Sequence, residues 1–201
     1  MVKINPHLDR FLANCLEAKA KLEGDDFLME AIRTEVEDPS EGSYEMGEGI
    51  YSKWKRSSKG MTEMCVAADT YAPGLPVMDF VVLVDNPDEI GNDVTYLVPF
   101  FPNLIELGSS KRSSLIDREI KEERTRVHDH FLRRGYEIGL SGKSNTPFGI
   151  SNGKLVVHDV DMGSFTSSSA ILRGTNGLRG EYAHLEKIWK ILTSDKYRLN
   201  I

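Results

Sequence analysis

The chain has 201 residues, with 25 Lys+Arg against 31 Asp+Glu, a formal net charge of -6, 40% hydrophobic residues and 28% charged ones. That balance belongs to an ordinary globular protein with a sizeable core. Two cysteines, Cys15 and Cys65, exclude a disulfide framework, and the acidic balance argues against a general nucleic-acid binder. The longest apolar run, Phe80 to Val84, falls far short of the roughly 20 residues of a membrane span. Asp9, Arg10, Glu17 and Lys19 break up any leader-like apolar stretch, so a cytoplasmic setting is expected.

Asn5 and Pro6 form a cap and first-turn pair for a helix that places Leu8, Phe11, Leu12, Cys15, Leu16 and Leu22 on one face, with Gly24 as its stop. A second helix carries Phe27, Leu28, Ala31 and Ile32. The polar, Pro- and Gly-broken stretch Glu37 to Gly42 is a linker. It divides an N-terminal helical extension (1–40) from the main domain (41–201).

From Ser43 the pattern turns to strands. Ser43–Met46 and Ile50–Arg56 are expected to pair as a hairpin around Gly47-Glu48-Gly49. A short helix over Met61–Tyr71 follows, closed by Pro73-Gly74. Strands are predicted at Val77–Asp85 and Asp93–Val98, and Pro99 and Pro102 then break the chain. A long polar helix over Ser113–Arg134 buries Ile116, Ile120, Val127 and Phe131, and Gly135 stops it. Asn152-Gly153 between Pro147–Ile150 and Leu155–Val157 is a strong hairpin signal. Ser164–Gly177 reads as a loop, and a last helix carries Tyr182, Leu185, Ile188, Trp189 and Leu192.

Several motifs have plain readings. Lys121 to Arg126 is the solvated face of the long helix. His128 and His130, two apart on a helix, point to different faces and do not make a zinc pair. Ser141-Gly142-Lys143-Ser144 lacks the glycine of a Walker loop, since Glu137 occupies its place. Ser109 to Ser114 reads as a capping linker. Gly47 and Gly49 suit either a tight turn or a backbone that approaches phosphates. Asn145 and Asp159, fourteen residues apart across a hairpin, suit either turn chemistry or a pair of hard oxygen ligands for magnesium.

The order of these elements and their residues resembles the protein kinases, most nearly the small serine/threonine kinases of short-tailed bacteriophages. Tyr44 to Ser52 resembles the glycine-rich loop, and Glu63 the acid of the helix that follows. Gly74 to Asp79 resembles the lead into the next strand, and Thr95 to Pro99 the strand entering the hinge. The resemblance spans about residues 43–165. It implies that Gly47, Gly49 and Tyr51 cover the phosphates of ATP, that one of Lys53, Lys55 and Lys59 pairs with them and with Glu63, and that Asn145 and Asp159 hold Mg²⁺.

The departures are equally specific. Leu140 stands five residues before Asn145, where a kinase carries the acid that receives the substrate proton, and a hydrocarbon cannot do that work. Val160 and Asp161 replace the aromatic and glycine that usually follow the metal-binding acid. Only about 40 residues follow Asp159, too few for a full peptide-docking lobe. The expected fold is therefore α+β, a reduced kinase-like two-lobe domain with an N-terminal helical extension. Its expected role is to bind ATP-Mg and to phosphorylate Ser/Thr of a host protein. The alternative is an inactive kinase-like or structural adaptor of a phage, acting through a protein partner or by homo-oligomerisation, away from membranes and nucleic acid.

Overall fold

The structure, a computed structural model, describes residues 4–37, 43–47, 50–85, 93–107, 118–136, 147–158, 160 and 183–201, with backbone alone at 35–37, 43–47, 50–59, 93 and 183. Apolar residues at helical spacing build the first two elements. Helix α1 (Leu8–Glu23) buries Leu8, Phe11, Leu12, Cys15, Ala18 and Leu22, and Gly24 closes it by donating to the Ala20 carbonyl at 3.1 Å. Asn5 does not cap it as expected. Its Oδ1 instead accepts from the His7 amide at 3.0 Å in the turn before the helix.

Helix α2 (Asp26–Glu37) starts from an Asp25 cap, whose Oδ1 accepts from the Leu28 amide at 3.0 Å. Leu28, Met29 and Ile32 are buried against the sheet, and Phe27, expected on the buried stripe, is 80% exposed.

Strands β1 (Ser43–Gly47) and β2 (Ile50–Arg56) form the predicted hairpin, with Gly47 paired to Ile50 and an irregular register between Glu45 and Gly47. Helix α3 (Ser57–Thr70) begins directly after β2. Strands β3 (Val82–Asp85) and β4 (Asp93–Pro99) complete an antiparallel run. β3 is shorter than predicted because the backbone before it is committed elsewhere: the Val81 amide donates to Cys15 Sγ at 3.5 Å, and the Asp79 carbonyl accepts from Asn14 Nδ2 at 3.0 Å. Two short strands escaped the sequence reading, β5 (Ile105–Glu106) and the C-terminal β8 (Leu199–Asn200).

The main sheet has the order β1-β2-β4-β3-β8, with β8 parallel to β3 through Val84 and Leu199. Period-two alternation gives it two covered faces. On one, Val82, Val84, Leu97 and Leu199 pack against Ala18 and Leu22 of α1 and Leu28, Met29 and Ile32 of α2. On the other, Leu83, Tyr96 and Val98 pack into the larger core with α3. Helix α2 and the C-terminal part of α1 thus lie across the sheet from α3, whereas Leu8, Phe11, Leu12 and Cys15 of α1 join the cluster of α3.

Helix α4 (Arg118–Arg133) buries Ile120, Val127 and Phe131. It ends at Gly135, as predicted, in a Schellman arrangement. The Gly135 amide donates to Leu132 at 2.9 Å, the Tyr136 amide donates to Phe131 at 2.9 Å, and Gly135 has φ +87°. Strands β6 (Phe148–Ser151) and β7 (Lys154–Val157) pair through the predicted Asn152-Gly153 turn, with φ of 49° and 77°, and β5 extends them to a three-stranded sheet. Helix α5 (Ala183–Leu192) closes the core with Leu185, Ile188 and Leu192. Gly49, Leu140, Asn145, Asp159 and the Ser109–Ser114 and Ser164–Gly177 stretches lie outside the described residues.

Candidate functional site

The central helix α3 is buried on every side. Residues Thr62 to Thr70 are all buried, and they include two carboxylates, Glu63 and Asp69, at 0% exposure. A helix with no wet face belongs inside a core, and two acids on it demand built-in partners.

Glu63 meets the sheet. The Tyr96 hydroxyl donates to its Oε2, from the face of β4 that α3 covers. Tyr96 is the register partner of Lys53 in β2, and Val94 and Val98 are the partners of Lys55 and Tyr51. Lys53 is therefore the β2 residue in register with Tyr96, the residue that meets Glu63. Lys59 falls instead in the first turn of α3. Gly47 ends β1 beside this row, at the hairpin.

Sequence reasoning left three lysines open, and strand register pairs Lys53 with Tyr96 and Lys55 with Val94. It also missed Tyr96, because a tyrosine in an apolar strand carries no motif. Asn145 and Asp159 lie outside the described residues.

Asp69 has a different set of partners. Arg134 forms an ion pair with its carboxylate, and Arg134 Nε also donates to its main-chain carbonyl at 3.0 Å. The Tyr136 hydroxyl donates to Oδ2 at 2.9 Å, and His184 Nε2 lies 3.2 Å from the same oxygen. Burial, reinforced by the neighbouring carboxylate, pushes the Tyr136 phenol far above its ordinary pKa and keeps it a donor.

Other side chains complete the end of this helix. Asn5 Nδ2 donates to the Ala68 and Tyr71 carbonyls, both at 2.8 Å, and His130 Nε2 lies 2.9 Å from the Thr70 carbonyl. Four consecutive carbonyls, 68 to 71, thus face donors from outside the helix, the groups a helix C-terminus leaves without internal partners.

A separate groove of about 450 Å³ is lined by Gly74, Leu75, Pro76, Ile120, Glu123 and Leu155, among others. Gly74 to Pro76, of the stretch that resembles the lead into a kinase strand, and Gly153 of the hairpin turn line it, whereas Glu63 does not. Among the described residues no three His, Cys, Asp or Glu side chains converge as a metal site, and no helix is long and apolar enough to cross a membrane. No protein-family model, curated protein or solved structure matches the chain.

Proposed function

We propose that this chain is a kinase-like domain that binds ATP-Mg and works through binding to a protein partner rather than through phosphoryl transfer. The observation that carries this reading is the meeting of β2, α3 and β4 at Tyr96: a fully buried acid, Glu63, accepts from the Tyr96 hydroxyl, and Lys53 is the strand partner of Tyr96. A buried carboxylate is stabilised by a cation far more than by a neutral hydroxyl, and a lysine paired with a helix acid is the element that steadies nucleotide phosphates in kinases.

The surrounding order supports it: a glycine hairpin leads into the lysine strand, and the acid helix and two further strands follow. On this reading Gly47 and Gly49 let the hairpin backbone approach the phosphates, with Tyr51 beside them. Lys53 supplies their positive charge, oriented by Glu63, while Lys55 follows it in β2. Asn145 and Asp159 supply oxygen ligands for Mg²⁺, which when bound neutralises phosphate charge. Leu140 withholds the proton acceptor from a Ser or Thr hydroxyl, and this favours binding over transfer.

Thermal melts with and without MgATP test the reading. Nucleotide at 100 times its Kd stabilises by about 2.7 kcal/mol, a rise in Tm of roughly 5–10 °C for a chain of this size. An unchanged Tm at millimolar MgATP removes nucleotide binding and leaves an adaptor role. Transfer of the γ-phosphoryl group to protein substrates would overturn the inactive assignment alone.

A further inference from the structure

We propose that Asp69 is a positioning residue for the Lys53–Glu63 pair, and that the buried Asp69–Arg134–Tyr136–His184 cluster ties the placement of α3 to both chain segments that border it. This inference rests on the nucleotide-binding reading and extends it to residues that no motif marks.

Geometry carries the argument. Asp69 lies on the same rigid helix as Glu63, six residues away, so whatever fixes one end of α3 fixes where Glu63 stands against Tyr96. Its partners come from three further places in the chain: Arg134 from the last turn region of α4, Tyr136 from the residue after the Schellman glycine, and His184 from the first turn of α5. Tyr136 immediately precedes the stretch that contains Leu140 and Asn145. His184 stands just beyond the stretch that begins after Asp159 and Val160.

One carboxylate therefore joins the acid helix to Arg134 and Tyr136 after α4 and to His184 of α5. The Tyr136 hydroxyl and His184 Nε2 are also 3.5 Å apart, so the three side chains form a closed triangle in which a shift of any one disturbs the other two. The donors from Asn5 and His130 on the neighbouring carbonyls hold the same end of α3 from other directions. A helix fastened this way has one position, and its acid is preset for the lysine.

The test uses the full-length chain and the Asp69→Asn variant, which keeps the shape and removes the charge. Two readouts are taken: MgATP affinity below the melting range of both proteins, and amide hydrogen exchange. The expected result is at least tenfold weaker MgATP binding, together with faster exchange both around Glu63 and in the first turns of α5. An affinity within twofold of the parent would overturn the proposal, however much Tm fell, because a merely structural residue lowers Tm without moving affinity in the folded state.

If Asp69→Asn does not fold, Tyr136→Phe and His184→Gln each remove one bond to Asp69. About threefold weaker binding in each supports the proposal, and unchanged binding in both overturns it. If the parent itself binds no MgATP, the nucleotide reading has failed separately. Exchange then decides the tether: acceleration at both α3 and α5 upholds it, and acceleration confined to one of them overturns it.

Discussion

At the scale of single residues, burial decides the chemistry. Cys15 and Cys65 are both at 0% exposure, and burial pushes the Cys15 thiol up to about 12. Burial raises Cys65 as well, with the charge of Asp69 adding to it, and its thiol lies 3.5 Å from the Leu185 carbonyl. Reactivity follows the thiolate, so neither cysteine is expected to react with a disulfide reagent at pH 8 in the native state, and both should react in urea. Stoichiometric labelling of the folded protein would contradict this. His130 gives a pH dependence. Desolvation lowers its pKa below 6.5, with Arg133, Arg134 and His7 adding to the effect and the Thr70 carbonyl opposing it. The unfolded chain therefore takes up this proton first as pH falls. The corresponding stability is present above about 6.5 and is lost as pH falls from there through the lower folded value. Urea midpoints at pH 7.5 and 5.5 should fall less in His130→Gln than in the parent. An equal fall in the two proteins would mean that His130 does not contribute.

At the scale of elements, the ends of helices and the turns carry the specificity. Replacing Asn5 by Ala leaves the Ala68 and Tyr71 carbonyls without their donor, a loss of about 1–3 kcal/mol that urea unfolding would register. A change within a few tenths of a kcal/mol would show that other groups take over the donation. Gly153→Ala forces a side chain into a left-handed conformation at φ +77° and should cost roughly 1–2 kcal/mol by the same assay.

Much of this level was legible. Gly135 and Asn152-Gly153 announce their backbone conformations directly, because few residues adopt positive φ. Other features were not. Asn5 looked like the cap of its own helix, and nothing local says that its amide reaches α3, more than sixty residues away. Phe27 fits an apolar stripe in the sequence, but α2 meets the sheet through Leu28, Met29 and Ile32. β8 is two residues long and owes its existence to the edge of β3, a partner far away in sequence. Asp69 carries no local signal, since only the folded chain brings Arg134, Tyr136 and His184 around it.

At the scale of the whole molecule, the sheet is sandwiched between two different sets of helices. The face covered by α1 and α2 is apolar and structural. The opposite face holds the Glu63–Tyr96 contact between α3 and β4, with Lys53 of β2 in register with Tyr96. The N-terminal helices, read from sequence as an extension, share the core: Leu8, Phe11, Leu12 and Cys15 belong to the same cluster as α3, α4 and α5. Removing residues 1–24 should therefore expose both sheet and helix surface and leave a chain that does not unfold cooperatively, which circular dichroism melts would read. A truncated chain that melts cooperatively near the parent Tm would show that α1 is dispensable to the core. The most direct measurement of the central claim is calorimetric titration of MgATP into the parent, Lys53→Met and Glu63→Gln proteins. Saturable binding in the parent, weakened about 10- to 100-fold in Lys53→Met by loss of a charged hydrogen bond and clearly weakened in Glu63→Gln, is the expected result. No saturable heat with the parent at millimolar MgATP, or equal affinity in all three proteins, would contradict it.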